Sequence, residues 1–293
     1  MVTTKGEVSF GRALTVEESG WLRCAEAMAE AGAQAAHPLS GTTAGRQILG
    51  RGGGGDCTIE LDRAAEEAML GMLARHAPAP HHVVAEELGL VGCAGAHRWV
   101  TVDPVDGSLN AKRGLEPFCA AIAVADEPTL GGVLLGYVRD YARGHVFAAI
   151  RGAGMATSRS LDPPAPDTPV EVVLLEAGRP DRHGFSFADL ARIVPGSGGA
   201  ELRVRQIGSL ALCLCHLATG VADLLVSPVP CRAVDVAGGL LMVREAGGGA
   251  AALDGSDLWS QPLDLERRAP FLAWRAGIDG PGMVGAAQAV FHL

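Results

Sequence analysis

The residues best suited to chemistry in this chain are carboxylates at the ends of apolar runs. Arg98-Trp-Val-Thr-Val-Asp103-Pro-Val-Asp106-Gly-Ser108-Leu-Asn110 sets two acids three residues apart in a proline-containing turn that runs into Gly-Ser. Acids so placed can hold divalent cations through hard oxygen ligands. The Gly-Ser pair can open a short helix, whose first N–H groups lack intrahelical acceptors and favour an anion such as phosphate. Taken alone, Asp-Pro-x-Asp-Gly is equally an ordinary turn. Upstream, Val83-Val-Ala-Glu86-Glu87 ends another apolar run in acids, with Glu86 seventeen residues before Asp103. A solvated acid pair at a strand end has the same appearance. Downstream, Ala233-Val-Asp235-Val opens an apolar helical run with an acid in its first turn, where the helix dipole by itself already favours a carboxylate.

To act together, these acids need strands that end side by side and a helix that begins beside them. Apolar residues Leu22, Ala25, Met28, Ala29, Ala33 and Ala36 recur at helical spacing after a Thr15-x-x-Glu18 capping box, which predicts a helix over 15–36, with Gly32 weakening its last turns. The glycine-dense stretch 41–56, ending Arg51-Gly-Gly-Gly-Gly-Asp56, reads as a mobile segment without regular structure, or as a plain linker. A second helix is expected over 62–76, stopping at Pro78-Ala-Pro80. Strands are expected at 82–85, 98–102, 118–125, 131–140 and 144–149. The last three are joined by loops too short for a crossover helix and should pair antiparallel. The Pro- and Asp-rich stretch 159–168 suggests a boundary between an N-terminal α+β part, 1–160, and a C-terminal α/β part, 161–293. In that second part strands at 170–175, 202–206, 222–227 and 250–253 alternate with helices at 187–193, 209–219 and 233–246, a pattern of helices layered on a sheet.

Composition narrows the function classes. With 293 residues, 48% of them apolar, the chain can bury a core of ordinary size. Twenty-four basic against 33 acidic residues give a net charge of -9, and only Lys5 and Lys112 are lysines. That balance sets aside a nucleic-acid polymer or an anionic membrane as partner. The longest apolar stretch, 209–222, is interrupted by His216 and falls short of the roughly 18 residues of a membrane span. No basic segment leads into an apolar run and cleavage site, so a cytoplasmic location is expected. Seven cysteines (Cys24, Cys57, Cys93, Cys119, Cys213, Cys215 and Cys231) form no CxxC pair, and are expected to be reduced, buried, small apolar residues. Glycine, at 40 residues, is about twice its usual share of roughly 7%.

Taken in order, Glu86-Glu87, then Asp-Pro-x-Asp-Gly-Ser, then Val-Asp235-x-Ala at the head of a helix ending Glu245-Ala-Gly-Gly, the pattern becomes specific. It resembles the inositol monophosphatase superfamily of metal-dependent phosphatases, which also includes fructose-1,6-bisphosphatases and 3'-phosphoadenosine phosphatases. The likeness runs from about Trp21 to Val290. It takes in Gly55-Asp-Cys-Thr-Ile-Glu-Leu-Asp62 and Gly208-Ser209 followed by Ala218-Thr-Gly-Val-Ala-Asp223. The nearest flavour is the archaeal-type dual inositol monophosphatase and fructose bisphosphatase, which shares EELG, DPxDGS and a basic residue in RAVD, here Arg232.

The resemblance implies an α+β layered sandwich, α-β-α-β-α, with the site between the two parts of the chain. It implies that Glu86, Asp103 and the Val105 carbonyl bind one Mg2+, and that Asp103, Asp106 and Asp235 bind a second, with a weaker third ion near Glu86. It casts Asp62 and Ser108, with Glu86, as the catalytic set that orients and deprotonates an attacking water. Gly107, Ser108, Gly208, Ser209 and Arg232 become the contacts for phosphate and substrate, and the loop at 51–56 becomes a mobile flap. The implied substrate is a small phosphorylated polyol, cyclitol or sugar. A nucleoside phosphate or 3'-phosphoadenosine 5'-phosphate is the alternative, and a non-catalytic phosphate-binding member a more distant one. A homodimer is also implied. Two positions depart from the family: Val234 replaces the usual Trp before Asp235, and Pro228 stands where relatives carry a Glu or a basic residue that meets the sugar. His81, His82 and His97 are expected to be loop residues rather than ligands.

Overall fold

The capping box forms as the sequence requires. Thr15 Oγ1 accepts from the Glu18 amide at 3.2 Å while the Thr15 amide donates to Glu18 Oε2 at 2.7 Å, opening α1 (Val16–Ala36). The computed structural model describes residues 8–162, 164–165, 168–176, 187–194 and 202–291. Part of the expected boundary segment, at 163, 166 and 167, lies outside the described residues. After α1 come β1 (Ile48–Arg51), β2 (Cys57–Ile59), α2 (Glu60–His76), β3 (His82–Ala85), β4 (Gly89–Val91), β5 (Trp99–Asp106) and α3 (Ser108–Arg113). The chain continues through β6 (Cys119–Ala125), β7 (Val133–Asp140), β8 (Val146–Ile150), β9 (Gly154–Thr157), β10 (Val172–Leu175), α4 (Phe187–Ile193), β11 (Arg203–Arg205) and α5 (Leu210–Ala218). It finishes with β12 (Leu224–Ser227), α6 (Ala233–Glu245), β13 (Gly249–Ala252), β14 (Phe271–Trp274) and α7 (Gly280–Phe291).

Seven strands form one sheet in the order β4-β3-β5-β6-β7-β8-β9, and five form another in the order β11-β10-β12-β14-β13. From β5 to β9 every neighbour pairs antiparallel, as the short loops demanded. One face of the larger sheet packs on α1 and α2 through Trp21, Met28, Leu61, Met69 and Ile122. Its other face, through Ala121, Val138 and Phe147, shares a core with Leu212 and Leu214 of α5 and Val236 and Leu240 of α6. The outer face of the smaller sheet is covered by residues such as Leu190 of α4 and Met283 of α7. The layers are therefore α-β-α-β-α, with α5 and α6 buried in the middle. No helix among the described residues is long and apolar enough to cross a membrane.

Three local expectations are corrected. The stretch 41–56 does carry regular structure, because β1 and β2 pair as an antiparallel hairpin around the glycines. Its backbone docks against the larger sheet, the Gly53 and Gly54 amides donating to the Glu87 and Glu86 carbonyls at 2.8 and 2.9 Å. Cys57 and Cys93 are exposed rather than buried, although all seven cysteines are free as expected. Finally, β14 and α7 close the smaller sheet from a tail in which the sequence pattern indicated no element.

Candidate active site

Register explains how the acids meet. β3 and β5 run parallel, with Ala85 opposite Val102, and the Glu86 amide extends the ladder to the Val102 carbonyl at 3.1 Å. Glu86 and Asp103 therefore lie side by side where the β3/β5 ladder ends. Two residues three apart on a regular strand point to opposite faces, yet Asp103 pairs with Ala121 of β6 and Asp106 with Cys119. Three steps on β5 match two on β6, so a bulge at Pro104-Val105 restores the parity and turns both carboxylates toward the α5/α6 layer. The Tyr141 hydroxyl holds the bulge by donating to the Pro104 carbonyl at 3.0 Å. Gly107 then turns the chain with φ 95°, a left-handed conformation that side chains resist, and starts α3.

Asp235 comes from the first turn of α6, in the middle layer, where its Oδ2 accepts from the Arg232 amide at 3.1 Å. Asp62 lies in the first turn of α2. Ser108 Oγ donates to the Val105 carbonyl at 2.7 Å, and Asp103 Oδ1 accepts from the Val105 amide at 3.0 Å.

These groups line one cleft of about 350 Å3, together with Asp56, Cys57, Glu87, Leu109, Gly107, Gly208 and Arg232. Seven carboxylates and one guanidinium face it. A larger hollow of about 720 Å3 lies elsewhere, among Gly20, Arg23, Glu30, Arg75 and Arg139. It gathers none of these acids, and its Arg139 and Glu30 pair with each other at 2.7 Å.

Crowding shows in the protonation of the acids. Burial, then the charges of Glu86 and Glu87, push Asp62 up to about 8. Burial raises Asp106 to about 7, with Ser209 opposing it. Asp103 stands well above the usual carboxylate range through burial and the charges of Glu86, Asp106 and Asp235. Glu86 is also raised by burial, which the nearby Arg232 counteracts. Burial alone would lower Arg232, but Asp235 and Glu86 hold its charge firmly in place. Among the described residues, no group of three or more His, Cys, Asp or Glu side chains is arranged as it stands around a single ion position. A guanidinium sits among the acids instead: Arg232 Nη2 is 2.6 Å from Glu86 Oε1 and 3.2 Å from Asp235 Oδ1.

Nearly all the residues singled out in the sequence thus converge. Ser209 does not line the cleft: it is buried, caps α5, and donates to Asp106 Oδ2 at 2.7 Å, with the Ala211 amide adding a second bond at 2.6 Å. Its part is to fix Asp106. His81 and His82 also lie outside the cleft, His81 edge-on to Trp21 and His82 stacked on Trp99. In the sequence Asp56 and Glu87 stand only as parts of their motifs, with no role of their own, and Glu66 is not singled out. Glu66 accepts from the Glu87 and Leu88 amides at 2.8 and 2.7 Å, holding the turn that carries Glu86. A helical acid four residues after Asp62 was the available signal.

Comparison with known proteins places this geometry. The inositol monophosphatase family pattern matches residues 19–278. A fructose-1,6-bisphosphatase/inositol-1-monophosphatase of Methanothermobacter thermautotrophicus is 30% identical over 239 residues, covering 78% of this chain and 82% of its own length. The Nus factor SuhB of Xylella fastidiosa is 33% identical over 207 residues, covering 69% and 71%. Among solved structures, an inositol monophosphatase-fructose 1,6-bisphosphatase superposes with a TM-score of 0.74 at 21% identity, over 92% of this chain and 99% of that one. The inositol monophosphatase from Anabaena (Nostoc) sp. PCC 7120 gives 0.70 at 23% identity, over 94% and 98%. A buried carboxylate set where the larger sheet meets the middle helices, a family match over most of the chain and a shared layered fold agree: the chain belongs to the inositol monophosphatase family and is a phosphoric monoester hydrolase.

Proposed function

We propose that this protein is a Mg2+-dependent phosphomonoesterase of a small phosphorylated polyol, cyclitol or sugar, such as an inositol phosphate or a sugar (bis)phosphate. One observation carries the reading: seven carboxylates against one guanidinium line a cleft of about 350 Å3. A site this acidic repels a phosphate ester unless cations intervene. The donor set fits them, since every candidate ligand is an oxygen, as Mg2+ prefers. Asp62 Oδ1 is moreover buried without a hydrogen-bond donor, and Asp235 Oδ1 is faced only by the Arg232 guanidinium.

Glu86, Asp103 and the Val105 carbonyl would hold one ion, and Asp103, Asp106 and Asp235 a second, with a third near Glu86. Bound there, the ions supply Lewis acidity, a water of lowered pKa and neutralisation of the phosphate. The chain's own residues do the rest. Once cations offset the charges of Glu86 and Glu87 that raise it, Asp62 would be ionised, and its Oδ1, free of donors, would accept a proton from the attacking water; Ser108 Oγ, whose own proton is spent on Val105, would offer lone pairs that orient that water. The Gly107 and Ser108 amides head α3, where the helix provides no acceptor for them, and face the phosphate. Gly208 lines the substrate side of the cleft. The cleft volume suits a small ligand rather than a polymer. Free cysteines throughout agree with a cytoplasmic location. The exposed Ile48, Leu88, Leu90 and Val91 offer apolar surface for a homodimer.

Phosphate release from inositol 1-phosphate, fructose 1,6-bisphosphate, histidinol phosphate, nucleoside monophosphates and 3'-phosphoadenosine 5'-phosphate, with and without Mg2+, tests the proposal. Mg2+-dependent turnover of a cyclitol or sugar phosphate is expected, with Asp103→Asn and Asp235→Asn each lowering kcat at least about 1000-fold. Turnover without Mg2+, or unaffected by either change, overturns the assignment.

A further inference from the structure

Arg232 sits where a substrate contact was expected, yet its guanidinium is spent on the acids. Its side chain is 9% exposed, and Nη2 lies 2.6 Å from Glu86 Oε1 and 3.2 Å from Asp235 Oδ1. Nε lies 3.5 Å from Asp235 Oδ2. These two acids come from different layers, one beyond β3 and the other from α6, so the guanidinium joins the larger sheet to the middle helices. On its far side Nη1 reaches Asp56 Oδ2 at 3.4 Å, on the glycine hairpin, where Arg267 Nη2 also binds at 2.6 Å. The hairpin is shaped to lie against it: a Cβ added at Gly54 would stand 2.8 Å from Arg232 Nη1.

We propose that Arg232 is a resident counter-cation that competes with the divalent ion for Glu86 and Asp235, and that ion binding passes its guanidinium on to Asp56. This rests on the reading of Glu86 and Asp235 as ion ligands. Without an ion, buried carboxylates of like charge destabilise the folded chain, and the guanidinium cancels part of that repulsion. A divalent ion between the same acids would share their oxygens with a second cation, so one of the two must leave. Asp56 is the nearest acid already in contact and is more exposed, with a side chain 59% accessible against 12% for Asp235. Arg232 can therefore turn toward it about its own long side chain without any backbone rearrangement. Ion affinity is set lower than the acids alone would give, and the hairpin is drawn toward the cleft by the released guanidinium.

The test is Mn2+ binding to the full, substrate-free chain, read by electron paramagnetic resonance of the free ion, together with thermal unfolding in chelator and in Mn2+. Arg232→Met should bind the first Mn2+ at least about tenfold tighter than wild type, and should melt lower than wild type in chelator, the gap closing or reversing in Mn2+. Arg232→Lys, which keeps the charge but cannot bridge two acids in a plane, should bind several-fold tighter and guards against failure of the Met variant to fold. Asp56→Asn should weaken Mn2+ binding several-fold when Arg232 is present and leave it unchanged in the Arg232→Met background. Wild type that binds Mn2+ with Arg232→Met no tighter overturns the competition while leaving the ion site standing. No Mn2+ binding by either chain overturns both. Binding by Arg232→Met alone supports the competition in its strongest form.

Discussion

Glu66 does not line the cleft, yet its two hydrogen bonds hold the turn that carries Glu86. Its carboxylate, raised to about 7 by burial, accepts from the Glu87 and Leu88 amides. Glu66→Ala leaves two amide donors without an acceptor, at about 1–3 kcal/mol for a buried donor. The expected outcome is a fall in chemical stability of about 2 kcal/mol, measured by urea unfolding, and a roughly tenfold loss in kcat with Glu66→Gln restoring most of both, since an amide oxygen still accepts. His216 is a separate reporter of the core. Burial, then the charge of Arg159, holds its imidazole down at about 4. The unfolded chain takes up a proton near pH 6.5 while the folded chain does not until about 4, so the folded state loses stability as pH falls through that window. His216→Gln should flatten the stability curve between pH 6.5 and 4 by up to about 3 kcal/mol and leave it unchanged above pH 7, checked by thermal melts across pH.

The elements show where a one-dimensional pattern carries the fold and where it does not. Acids at the ends of apolar runs were legible because Val83-Val-Ala and Val100-Thr-Val can only be buried strands, and buried strands deliver their polar ends to an edge. The bulge at Pro104-Val105 was not legible, because a register shift depends on the partner strand: Asp103 and Asp106 share a face only through pairing with Ala121 and Cys119. Likewise the glycines at 280, 282 and 285 weaken the helical pattern of α7, although Pro281 suits a first turn, and packing of Met283 and Ala287 on the smaller sheet outweighs them. The bridge from Arg232 to Glu86 spans 146 positions of chain, and no local pattern announces it. α6 carries the same lesson into a prediction. It lies so close to the larger sheet that a Cβ on Gly238 would stand 2.8 Å from the Ile122 carbonyl and 3.3 Å from Gly136 Cα. Gly238→Ala gains about 1 kcal/mol of helix propensity but must push the helix away from rigid backbone, typically a loss of about 1–3 kcal/mol. The variant should melt lower than wild type, and because α6 bears Asp235, its activity should fall well beyond what the remaining folded fraction explains.

At the scale of the whole molecule, the middle layer makes the two parts of the chain depend on each other. The larger sheet, built before residue 158, turns Cys119, Ala121, Ala123, Val138, Phe147 and Ala149 toward α5 and α6, which come from beyond residue 209. Those helices in turn cover the inner side of β12 through Leu225. A chain cut near residue 160 would leave that apolar face bare on both fragments, and buried apolar surface is the main term stabilising either half. The division into 1–160 and 161–293 is thus proposed as one of topology within a single folding unit, with the site assembled across it: Glu86, Asp103 and Asp106 from the first part, Arg232 and Asp235 from the second. The expected outcome is one unfolding transition for the full chain, with coincident midpoints from tryptophan fluorescence, reported by Trp21 and Trp99 in the first part and Trp259 and Trp274 in the second, and from circular dichroism. A fragment of residues 1–160 made alone should lack a cooperative melt and bind a hydrophobic dye. Two separated transitions, or a cooperatively folding 1–160 fragment, would show instead that the first part is a domain able to stand by itself, onto which Asp235 is only docked.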